Sequence, residues 1–78
     1  MTDTDLNTYR VLIRALDERL RVAAHGTRLA LDDLDHGSRN RAIGALLPVE
    51  RDINVVSAIL TTLLTLHRAR HVGEGGAR

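Results

Sequence analysis

The sequence predicts an all-α fold: an antiparallel helical hairpin of two long helices plus a short connecting helix, associating as a homodimeric helical bundle. Three observations carry this expectation. Apolar residues recur at helical spacing in two long stretches of the 78-residue chain. Ile53 to Leu66, INVVSAILTTLLTL, is a run without a single charge, although 27% of all residues are charged. Strand signals are missing, since the β-branched residues fall at helical spacing and no hairpin dipeptide separates them.

The first helix opens where Thr2, Asp3 and Thr4 offer capping oxygens and negative charge to the free N–H groups of a helix start. Leu6, Tyr9, Ile13, Leu16, Leu20 and Ala23 then alternate at intervals of three and four, a seam for a partner helix. Ala15, Val22 and Leu29 add a thinner second stripe. Gly26 is a candidate stop, yet the seam spacing continues through Thr27, Ala30 and Leu34. Continuation, with a kink at the glycine, is therefore expected, since a mid-helix glycine costs only about 1 kcal/mol against alanine. The helix ends near Asp35-His36-Gly37-Ser38.

Ser38 is a good N-cap for a short connecting helix through Leu47. Pro48 cannot continue such a helix, because it lacks an N–H and its ring crowds the preceding turn, but it suits the first position of the next one. Val49, Ile53, Val56, Leu60, Leu63 and His67 form the second seam, widened by Val55, Ile59 and Leu66 to about half the circumference. Gly73 is the expected end. Residues 1–72 are read as a single domain and 73–78 as a disordered tail. One hairpin cannot cover so broad an arc, whereas two can close it as a four-helix bundle. The expected oligomer interface is Val49, Ile53, Val56, Ile59, Leu60, Leu63 and Leu66.

Composition narrows the function. Cysteine is absent, which excludes disulfides and thiolate metal sites. All eleven basic residues are arginines, a bias of the kind a GC-rich bacterial or phage genome produces. Ten acids hold the net charge to +1, so no global nucleic-acid footprint exists. Tyr9 is the only aromatic residue, too few for base stacking. The N-terminus does not resemble a secretory signal, and the neutral run is shorter than the roughly 20 residues a membrane span needs. A soluble, cytoplasmic protein without membrane association is the default expectation.

Four constellations are candidates for chemistry. His67 and His71 are spaced i,i+4, as two imidazoles sharing a metal would be, but no carboxylate joins them and the same pair suits a helix C-terminus. Asp32, Asp33, Asp35 and His36 crowd one end, yet lack the glycine and glutamate spacing of a calcium loop, so a solvated turn is the plainer account. Leu29 to Leu47 has the length of a helix-turn-helix whose recognition end would be Arg39, Asn40 and Arg41, although Asp32 and His36 stand where core residues belong. Arg14, Arg21 and Arg28, flanked by Arg10, repeat every seven residues as a stripe for an acidic partner or a phosphate backbone, but Asp17 and Glu18 break its field. No nucleophile elbow, phosphate loop or dinucleotide fingerprint occurs. The reading leans against an enzyme and toward a small interaction module, an adaptor or regulator that binds itself and an unidentified protein partner. It requires no cofactor. A dimeric DNA-binding regulator is the first alternative and a metal-binding bundle through His67 and His71 the second.

Overall fold

The computed structural model describes residues 3–75, with side chains described for residues 5–69. These residues form two helices and no strand: α1, Asp3–Asp35, and α2, Arg39–Gly75. Thr2 and the side chains of Asp3 and Thr4, expected to cap α1, lie outside the described residues.

α1 runs unbroken through Gly26. It ends at Gly37, whose φ of +79° is the left-handed conformation that glycine adopts without steric cost. The Gly37 N–H donates to the Leu34 carbonyl (2.9 Å) and the Ser38 N–H to the Asp33 carbonyl (2.9 Å), which satisfies carbonyls the helix end would leave free. Ser38 then precedes α2 directly, its carbonyl accepting from the Ala42 N–H at 3.0 Å. The connection between helices is therefore one tight turn.

The separate connecting helix over Ser38–Leu47 does not form. Those residues are the first part of α2, which continues through Pro48. Proline at this site withholds its N–H from the Gly44 carbonyl and crowds it, a cost of about 3 kcal/mol in a helix interior. A Cβ on Gly44 would meet nothing within 4 Å, so this stretch of α2 faces open space at that position. α2 is described as far as Gly75, beyond the stop expected at Gly73; residues 76–78 of the expected tail lie outside the described residues.

The helices pack antiparallel along a seam of alternating threes and fours. On α1 it comprises Tyr9, Leu12, Leu16, Arg19, Ala23, Gly26, Ala30 and Asp33; on α2, Ala42, Ala45, Val49, Asp52, Val56, Ile59, Leu63 and Leu66. This corrects the expected seam. Tyr9, Leu16, Ala23, Ala30, Val49, Val56 and Leu63 keep their place, but Leu6, Ile13, Leu20, Leu34, Ile53 and Leu60 stand exposed beside it. Small residues explain the rotation. Ala23, Gly26 and Ala30 oppose Ala42, Ala45 and Val49 so closely that a Cβ on Gly26 would sit 2.5 Å from Val49 Cγ2 and 3.6 Å from the Ala45 carbonyl oxygen.

The resulting core is thin. Its buried apolar residues are Ala23, Ala30, Ala42 and Leu63, joined by Asp52, and among the described residues no large side chain is fully buried. The molecule is one layer deep, 60 × 21 × 14 Å, with a radius of gyration of 17.9 Å. A compact chain of this length would have about 11.5 Å.

Candidate interaction surface

Fifteen large apolar side chains among the described residues are exposed. Their distribution matters more than their number. In α1, the position after each of Arg19, Leu12 and Asp33 holds Leu20, Ile13 and Leu34, and Leu6 continues the same line one heptad earlier. In α2, the position after Ala45, Asp52 and Ile59 holds Leu46, Ile53 and Leu60. In an antiparallel pair these two lines flank the seam on the same side of the hairpin. Leu31, Ile43 and Leu64 extend that side outward, so ten of the fifteen lie on this broad face. The remaining five are Val11, Val22, Leu29, Leu47 and Leu66.

At the turn end the broad face deepens into a cleft of about 530 Å³ lined by Thr27, Ala30, Leu31, Leu34, Arg39, Ala42, Ile43 and Leu46. Its wall is almost wholly hydrocarbon. The Thr27 hydroxyl donates within its own helix to the Ala24 carbonyl at 2.8 Å, which leaves Arg39 as the one cationic side chain in the lining.

Charge gathers on the opposite side of the seam. Arg19 donates from Nη1 to Asp52 Oδ1 at 3.3 Å, joining the two helices at mid-length. The Asp52 side chain is only 9% exposed and that of Arg19 51%. Neither Arg19 nor Asp52 is among the candidates that the sequence pattern singles out. The available signal was spacing: Asp52 stands three after Val49 and four before Val56, on the apolar stripe, where a carboxylate requires a partner.

The expected interface residues divide. Val49, Val56, Ile59 and Leu63 are used within the hairpin, whereas Ile53 and Leu60 are 47% and 44% exposed on the broad face. Leu66 lies by Tyr9, Asp5 and Thr8 at the open end and is 39% exposed.

The arginines do not converge. Arg10, Arg14, Arg21 and Arg28 are exposed, the last three on the ridge of α1 turned away from α2, where Arg21 Nε pairs with Asp17 Oδ2 at 3.1 Å. Arg39, Asn40 and Arg41 are exposed in the first turn of the long α2 rather than heading a separate recognition helix, and successive 100° steps point them to three sides. His67 is described but the His71 side chain is not, and no group of three or more potential metal ligands occurs among the described residues. His36 Nδ1 lies 2.8 Å from the Asp32 carbonyl and 3.6 Å from its Oδ1, a local contact closing the end of α1. Neither described helix is long and apolar enough to cross a membrane. Comparison with protein families, curated proteins and solved structures returns no match to this chain.

Proposed function

We propose that this chain is a small non-enzymatic interaction module, an adaptor or regulator, that works by associating through its helices with itself and with a protein partner. The observation that carries the reading is the broad face: ten large side chains of one sign of polarity on one side of a hairpin whose own core holds four buried apolar residues. A contiguous apolar surface of that kind marks an association site rather than ordinary surface scatter. The most buried charged group among the described residues, Asp52, is engaged with Arg19 and is not part of the turn-end cleft.

Thermal melting followed by circular dichroism at chain concentrations spanning two decades tests the reading. Where folding is linked to association, the melting temperature rises with concentration by mass action. A fully helical protein whose melting temperature ignores concentration would remove the self-associating module from consideration.

A further inference from the structure

We infer that the broad face is the surface against which a second copy of this chain packs, face to face about a two-fold axis, to make a four-helix bundle. The inference rests on the interaction-module reading and names both the face and its occupant.

Area is the first argument. The hairpin exposes 6188 Å², roughly 1,500 Å² more than the about 4,700 Å² of a compact monomer of 8.6 kDa. Covering that excess on two chains would bury about 3,000 Å² in total, within the range of obligate homodimers.

Length is the second. The exposed apolar line runs from Leu6 at the open end through Leu20 and Ile53 to Leu34 and Ile43 at the turn, along a molecule 60 Å long. A small ligand could fill the turn-end cleft but would leave Leu6, Ile53 and Leu64 in water. A second hairpin matches the whole length by construction, and two-fold pairing lets one patch serve both chains.

Charge distribution is the third and selects the face. Arg19, Asp52 and Asp33 line the other side of the seam, with Glu18, Asp32 and Arg51 beyond them, so burying that side would strip charges of water. On the broad face Arg39 and His67 stand at opposite ends and Arg10, Asp17 and Glu50 on the outer margins, in line with Leu31, Ile43 and Leu64, while the positions next to the seam at mid-length, Leu20 and Ile53, are uncharged. Both central residues lie at mid-length, each one residue beyond the Arg19–Asp52 pair, so a two-fold axis through the middle brings them near their counterparts.

The experiment compares Leu20→Glu/Ile53→Glu with Val22→Glu/Val55→Glu, which places the same charges on the opposite flank, by light-scattering mass and circular dichroism. The expected result is loss of dimer in the first variant and retention in the second. Because the first variant has reason to unfold once its partner is lost, single-cysteine proteins supply an independent readout in a chain that has no cysteine of its own. A short bismaleimide should link Leu20→Cys or Ile53→Cys chains into covalent dimers, and Val22→Cys chains far less. Dimers that survive glutamate at 20 and 53 but are lost with glutamate at 22 and 55, with cross-linking strongest at 22, would overturn the face assignment while leaving the module reading intact. A wild-type chain that is helical and monomeric would overturn both.

Discussion

At the scale of single residues, the Arg19–Asp52 pair is asymmetric in what each partner risks. Asp52 is buried in the seam, and Arg19 keeps half its side chain in water. Arg19→Ala therefore strands a buried carboxylate and should cost about 1–3 kcal/mol in urea-unfolding free energy. Asp52→Leu removes the buried charge, leaves Arg19 free to solvate, and should be neutral or stabilising. Equal losses from the two substitutions would contradict the burial difference. Gly26 is a second sensitive point. Gly26→Ala gains helix propensity of about 1 kcal/mol, but its Cβ would overlap Val49 Cγ2, and a β-branched side chain in a helix has little rotamer freedom to yield. The expected outcome is net destabilisation that Val49→Ala relieves, read as a positive coupling in a double-mutant cycle. Tyr9 is the reverse case. Its hydroxyl is buried with no hydrogen-bond partner among the described residues, so Tyr9→Phe should leave the melting temperature unchanged or raise it.

At the scale of helices, Gly37 and Pro48 set the boundaries in opposite senses. Gly37 ends α1 because it alone in the turn takes a positive φ, and Gly37→Ala should cost about 1 kcal/mol through left-handed strain. Pro48 ends nothing, and Pro48→Ala should stabilise α2 by up to about 3 kcal/mol as the Gly44 carbonyl regains a donor. A destabilised Pro48→Ala protein would mean that the proline is needed where it stands. The two helices, the turn at Gly37 and continuation through Gly26 were legible because spacing and glycine chemistry act locally. The passage of α2 through Pro48 was not, since tertiary packing of Ala42, Ala45 and Val49 against α1 outweighs a local penalty that sequence reading treats as decisive. Nor was the seam's rotation. Each helix carries an apolar arc wide enough for two seams offset by one residue, and the choice depends on Gly26 meeting Val49 and Arg19 meeting Asp52, contacts between residues more than twenty positions apart. The same ambiguity split the expected interface: four of its residues serve the hairpin, and Ile53 and Leu60 stand exposed on the broad face.

At the scale of the whole molecule, a single layer 14 Å deep cannot hide the apolar surface that its sequence carries. The hairpin's seam takes up the small residues and the Arg19–Asp52 pair, which fix register, while ten of the fifteen exposed large apolar side chains lie on the broad face. If a second copy covers the broad face, as proposed, association and folding form one equilibrium in which each chain's stability depends on the concentration of the other. Sedimentation equilibrium of the wild-type protein across micromolar concentrations tests this most directly. The account predicts a mass twice the 8.6 kDa of one chain, with helicity falling only as the dimer dissociates; a fully helical species at the single-chain mass throughout that range would contradict it.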